Sequence, residues 1–273
     1  MTPHQEFRAR IRIHYDGTRF FGWQIQPLGR TVQGELQKAV ERLTREARTV
    51  TGAGRTDRGV HALGQVAAVS LPTRWSPATF RKSMNAVLPS DIWIAEAVEA
   101  PWSFHPRRDA VARTYEYRLG VEENAWSPFH RPYCWPLKHP VAFQTLQEAA
   151  EHLPGNHSLE AFAKSGQPER GTVCRVYEAQ WSRWGKLGFT FRIRANRFLH
   201  HTVRYLVGTM VHMAWGRRPL EHMERMIHSE EPVPETSRPA PPQGLFLMDV
   251  EYPEPGSAGE PPSGTQRDGK DEP

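Results

Sequence analysis

Thr51-Gly52-Ala53-Gly54-Arg55-Thr56-Asp57-Arg58-Gly59-Val60-His61 is the stretch on which the reading of this chain turns. Its three glycines predict tight turns and positive φ, where a Cβ would clash. Arg48-Thr49-Val50-Thr51 before it reads as a short strand, and the small-apolar run Val66-Ala67-Ala68-Val69 follows it. The stretch is therefore expected to be a loop between two strands, with Asp57 on stiff backbone between Arg55 and Arg58. It is no P-loop, because no Gly-Lys-Ser/Thr ends it. It is no dinucleotide fingerprint, because the glycine spacing is wrong and no helix opens after it. Spacing alone leaves two readings open. Asp57 could cap a neighbouring N–H and pair with Arg55 in a structural turn, or it could carry chemistry.

Upstream, Phe7 to Tyr15 alternates apolar and basic residues and predicts a half-buried strand, with Arg8, Arg10, Arg12 and His14 on its outward face. Asp16-Gly17 makes a turn. Of Phe20, Phe21 and Trp23, at least two rings are expected in the core. Val32, Leu36, Ala39, Val40 and Leu43 share one stripe of a helix from Thr31, its N-cap, to Ala47. Downstream come a strand near Gln65–Leu71, a helix opened by Ser76-Pro77 and stopped before Pro89, and a strand from Asp91 to Val98. Strand, helix, strand, helix, strand predicts helices layered on one sheet.

A second unit begins near Trp102. Arg113 to Leu119 alternates as a strand with Tyr115 and Tyr117 on one face. Pro128, Pro132, Pro136 and Pro140 mark an irregular connection. Val141–Leu153 is expected to be helical. Val173–Trp181 and Leu187–Ala195 form a hairpin around Gly185, and helices follow near Arg197–Trp215 and Leu220–His228. A proline-rich loop, residues 230–242, precedes a last strand from Leu245 to Tyr252. The proline-, glycine- and charge-rich letters from Pro253 onward predict a disordered tail.

The 273 residues are enough for one large or two smaller domains with real cores. A net charge of +5 favours an anionic partner, and a polyanion such as RNA fits. Cys134 and Cys174 lie too far apart in sequence to suggest a disulfide framework or zinc spacing. The first residues lack an apolar signal core and no stretch is long enough to span a bilayer, so a soluble cytoplasmic protein is expected.

The string Gly54-Arg55-Thr56-Asp57-x-Gly59-Val60-His61 resembles the signature loop of the TruA family of tRNA pseudouridine synthases. Four further segments resemble that family in order. They are Tyr15-Asp16-Gly17-Thr18-x-Phe20-x-Gly22-Trp23-Gln24, Phe104-His105-Pro106-Arg107 through Tyr117, Asn196 through Gly208, and Ala240-Pro241 through Tyr252. Thr202 departs from the pattern, which often has methionine there, and so does Val173-Cys174-Arg175-Val176. The resemblance implies an α+β fold of two similar α/β sandwich domains sharing one extended antiparallel sheet, with the active site in the cleft between them. The domains would span 1–105 and 106–252, with a tail at 253–273. It further implies a homodimer that converts uridine to pseudouridine at positions 38, 39 and 40 of the tRNA anticodon stem-loop, with no cofactor or metal.

Three residues carry the implied chemistry. Asp57 would be the nucleophile, since a carboxylate can form and later release a covalent intermediate. Arg204 would pair with it and favour its charged form. Tyr115 would stack on the extruded base; periodicity alone gives Tyr117 an equal claim. Arg55, Arg58, His61 and His200 are the expected substrate contacts, His200 lying one helical turn before Arg204.

Other chemistry is disfavoured. The 13 histidines include no His-Glu-x-x-His pattern, and His200 and His201, adjacent on a helix, would face different ways, so no metal site is expected. A glycosidase needs two carboxylates flanking the bond, and the loop offers one. The rival from another class is a non-catalytic RNA-binding module, which would use the basic strands without needing Asp57.

Overall fold

The computed structural model describes residues 6–164, 171–228 and 235–253. The expected tail, apart from Pro253, and the first part of the proline-rich loop lie outside these residues. Among the described residues ten strands and five α-helices make the architecture, a mixed α/β fold around one large sheet.

Strand β1 (Glu6–Tyr15) buries every second residue, from Phe7 to Tyr15. The intervening basic row is half-buried rather than open, because it has partners: Arg8 donates to Ser70 Oγ at 3.2 Å and Arg12 pairs with Asp249. Helix α1 (Val32–Thr44) starts at Thr31, whose hydroxyl accepts from Gly34 N, and ends early at Arg45 with φ 65°. Strand β2 is only Thr51–Gly52, and β3 runs from His61 to Pro72, beginning sooner than its small-apolar run suggests. Helix α2 (Pro77–Val87) opens with a capping box between Ser76 and Thr79. Strand β4 is Ile92–Ala100.

The second half holds β5 (Ala112–Gly120), β6 (Trp135–Pro136), α3 (Phe143–Glu151), β7 (Gly155–Ser158), the hairpin β8 (Val173–Trp184) and β9 (Gly188–Ala195), α4 (Thr202–Ala214), α5 (Glu221–His228) and β10 (Leu245–Glu251). Helix α4 begins five residues later than its apolar period suggests. The reason lies at Asn196, whose side chain accepts from Arg175 N and whose N–H donates to Arg175 O, continuing the sheet past β9. β7 escapes sequence reading because Gly-Asn-His-Ser, on an edge strand, has no apolar alternation to reveal it.

The sheet order is β4-β1-β3-β10-β5-β9-β8-β7. It is not wholly antiparallel: β10 lies parallel to β3, pairing Phe246 with His61 and Leu247 with Ala62. A long connection leads into β10, so no hairpin forces its direction. One core lies under β1, β3 and β4 with α1 and α2, and includes Ile11, Ile13, Leu36 and Phe80. The other lies under β5, β8 and β9 with α3, α4 and α5, and includes Phe162, Phe191, Leu206 and Met226. β10 serves both, with Leu245 in the second and Leu247 and Val250 in the first.

Gly208, buried in α4, lets the chain at 238–240 cross the helix. A Cβ there would come within 2.2 Å of Arg238 O. Overpacking of this kind costs about 1–3 kcal/mol. Gly208→Ala is therefore expected to lower the thermal midpoint by several degrees, about 2–4 °C for each kcal/mol. An unchanged melting curve would show that the crossing has room to spare.

Candidate active site

The Asp57 loop is built by backbone bonds within itself and to the segment that precedes α1. Trp23 N donates to Thr56 O at 3.0 Å, Gly59 N to Phe20 O at 3.3 Å, and Val60 N to Asp57 O at 3.2 Å. Phe20 and Trp23 are buried, while Phe21 remains exposed with the Arg58 guanidinium 4.3 Å over its ring. Buried polar groups brace the loop from beneath: Tyr15 Oη lies 2.8 Å from Thr56 Oγ1, and Gln65 Nε2 donates to Gly54 O at 2.9 Å. The expected positive φ is found at Gly59 alone, at 80°. Gly52 is needed for a different reason, since a Cβ there would meet the Trp23 indole at 2.5 Å.

The partners of Asp57 come from the far end of the sequence. Arg204 Nη1 donates to its Oδ2 at 3.2 Å, His201 Nε2 lies 3.1 Å from Oδ2, and His200 Nε2 lies 3.3 Å from Oδ1. The Asp57 and Arg204 side chains are 20% and 13% exposed, His200 60%. Arg204 is held at a second point, where Nε donates to Ala240 O at 2.8 Å. Ala240 N donates back to Arg204 O at 2.9 Å.

Arg55 and Arg58, the neighbours in sequence, are exposed and do not pair with the carboxylate. The turn at Gly59 and the bonds to Phe20 and Trp23 set the loop so that the two arginines are exposed while Asp57 is only partly so.

His200 and His201 correct the helix-based expectation. Neither is in α4. His201 is its N-cap, with φ 68° and ψ 2°, and this left-handed turn brings the two rings to 4.0 Å between centroids. Both therefore face Asp57 instead of diverging, and the three ligand-type atoms lie within 4.8 Å of one another. Burial pulls the His201 pKa below its usual value; the Asp57 charge opposes this, and His200, Arg204 and Lys164 reinforce it. Sequence reasoning passed over His201 because a helical reading of residues 197–215 turns it away. Thr202, next to it, is 1% exposed, with its hydroxyl buried and without a partner among the described residues.

Tyr115 is the tyrosine nearer the site. Its ring stands at 90° to Phe198, 5.1 Å away, and borders both cores. Burial pushes its phenol up to about 12, with Arg113 opposing and Asp57 adding to the rise. Tyr117 is fully buried and donates to Pro241 O at 2.8 Å, a structural position. His61 is buried, 2% exposed, with Nδ1 accepting from Gly17 N and Nε2 donating to Pro132 O. Both nitrogens are engaged by the chain itself, and the ring stacks 4.7 Å from Phe246.

The left-handed conformation costs a residue with a Cβ about 1–2 kcal/mol. His201→Gly is accordingly expected to fold at least 1 kcal/mol more stably than His201→Ala in denaturant titration, both lacking the imidazole. Equal stabilities would mean that the turn at 201 carries no backbone strain.

Once this geometry is in place, comparison with known proteins is specific. Residues 11–107 and 149–253 match the tRNA pseudouridine synthase family. The tRNA pseudouridine synthase A of Citrifermentans bemidjiense is 36% identical over 90% of this chain and 97% of its own length. Those of Thermosipho melanesiensis and a Geobacillus species are 37% and 35% identical, over 89% and 90% of this chain and 98% of their own lengths. With matches of this extent, the chain belongs to the tRNA pseudouridine synthase family.

Proposed function

We propose that Asp57 is the nucleophile with which this isomerase converts uridine to pseudouridine in tRNA. The observation that carries the reading is one partly open carboxylate, faced by Arg204 and two imidazoles, where the elements of the two cores meet. In the isomerisation the N1–C1′ bond of the nucleoside breaks, the uracil turns, and a C5–C1′ bond forms. The C5 proton leaves and N1 is protonated, so product and substrate have the same atoms. A carboxylate that adds and departs links these steps. Arg204, tethered to Ala240, aims Asp57 and supplies a permanent positive charge beside it.

Tyr115 stacks on the extruded base as a neutral phenol. Arg55 and Arg58, exposed on the rim and paired with no carboxylate among the described residues, contact phosphates, and His200 lies at the entrance. The target is the anticodon stem-loop, at positions 38, 39 and 40, and the working form is a cytoplasmic homodimer that needs no cofactor. The likeness of the five motifs to the TruA family supports these finer points, as does the name shared by the curated relatives. The division into domains at 1–105 and 106–252 belongs to the same reading, supported by the two cores.

Nucleoside analysis of a uridine-labelled anticodon stem-loop incubated with the purified chain tests the activity. Pseudouridine is expected from the native chain and none from Asp57→Asn, with tRNA binding kept. Turnover by Asp57→Asn would exclude it as nucleophile. Stacking on an aromatic ring is worth about 1–3 kcal/mol per base. Tyr115→Ala should weaken KM or binding by that amount, while Tyr115→Phe, which keeps the ring, should not. Equal losses in the two variants would assign the effect to the hydroxyl.

A further inference from the structure

Asp57, His200 and His201 present two imidazoles and a carboxylate on one patch. That is the donor set of an open zinc site, with three protein ligands and a fourth position for water. Zinc bonds to nitrogen and oxygen of about 2.0–2.1 Å set tetrahedral ligands roughly 3.3–3.4 Å apart. His200 Nε2 lies 3.3 Å from Oδ1, the spacing of two ligands on one ion; His201 Nε2 lies 3.1 Å from Oδ2, the oxygen Arg204 also meets, and all three ligand atoms lie within 4.8 Å of one another, so a swing of the His201 ring toward Oδ1 seats an ion. The left-handed turn at His201 holds the rings together, which fixes the pair of nitrogens before any ion arrives. His200, 60% exposed, opens the path from solvent. Arg204 bonds Oδ2, and Oδ1, faced by His200, is the oxygen that accepts a cation. Two imidazoles select Zn²⁺, Co²⁺ or Ni²⁺ over Mg²⁺ and Ca²⁺, which want oxygen ligands.

We propose that Asp57, His200 and His201 form an open three-ligand site for a divalent transition-metal ion such as Zn²⁺, and that the bound ion inhibits the isomerase. Inhibition follows because the ion takes the carboxylate that the reaction uses. This second half rests on the reading of Asp57 as the nucleophile; the binding site itself does not. The Arg204 charge beside the carboxylate keeps the ion exchangeable, as a regulatory or adventitious inhibitor and not a resident cofactor.

The test uses the full chain without a histidine tag and Co²⁺ alone as the probe. Visible bands of four- or five-coordinate cobalt should saturate at one ion per chain and vanish on adding Zn²⁺. They should be lost in His200→Gln and in His201→Gln at unchanged circular dichroism. They should persist in His157→Gln, whose ring packs against His228 away from Asp57. Should His201→Gln unfold, the exposed His200→Gln carries the test. Bands that survive in His200→Gln, or only a weak six-coordinate spectrum in the native chain, overturn the site. Product formation is then measured at Zn²⁺ concentrations that saturate the site, where it should stop and return on chelation. Cobalt binding with undiminished turnover in Zn²⁺ would keep the site and overturn the inhibition. Cobalt binding in a chain that never makes pseudouridine would instead count against the proposed function alone.

Discussion

The Arg204 guanidinium joins parts of the chain that are distant in sequence. One edge donates to Ala240 O and the other to Asp57 Oδ2. Ala240 leads into β10, β10 pairs with β3, and β3 opens four residues after Asp57. The contacts thus close a ring from Asp57 through Arg204, Ala240, β10 and β3 back to Asp57. A guanidinium only 13% exposed loses much of its hydration. It is stable there only while both acceptors stay in place, because breaking one side of a buried pair leaves an uncompensated charge. The pair therefore makes the position of Asp57 depend on correct assembly of both halves.

Backbone constraints converge on the same place. Gly59 turns the loop at φ 80°, Gly52 yields its Cβ volume to Trp23, and Gly208 lets residues 238–240 cross α4. His201 adopts a left-handed conformation without being glycine. Each feature gives up local freedom or local energy, and each brings a group to the carboxylate or supports its loop. Strain gathered at one site and held by the surrounding packing is what a preorganised centre requires.

The charges divide by location. The arginines next to Asp57 in sequence are on the rim, facing water, while the arginine that meets it comes from 147 residues away. Within the site the carboxylate, the guanidinium and the His201 imidazole are largely covered, with the exposed His200 ring at the mouth. Outside, Arg55 and Arg58 are exposed, Arg58 with its guanidinium over the exposed Phe21 ring. The half-buried row on β1 is less available, since Arg12 is spent on Asp249 and the Arg10 guanidinium stacks over Phe104 and Tyr252.

Much of this was legible in the letters. Alternation along β1, the Thr31 and Ser76 caps, the Gly185 hairpin and the apolar stripes of α1 and α3 are local signals, set by side-chain spacing and by which residues can satisfy a helix terminus. The Asp57 loop, Tyr115 and Arg204 were legible as motifs. Three things were decided only by the tertiary structure. β10 enters the sheet parallel to β3 because a long connection removes the hairpin constraint, and no periodicity encodes strand direction. His61 is sealed in by Gly17, Pro132 and Phe246, and its burial depends on neighbours that sequence spacing does not reveal. His200 and His201 converge on Asp57 because one residue takes a left-handed turn. That turn is a choice made by contacts from elsewhere in the fold, which a helical reading of the same letters cannot anticipate.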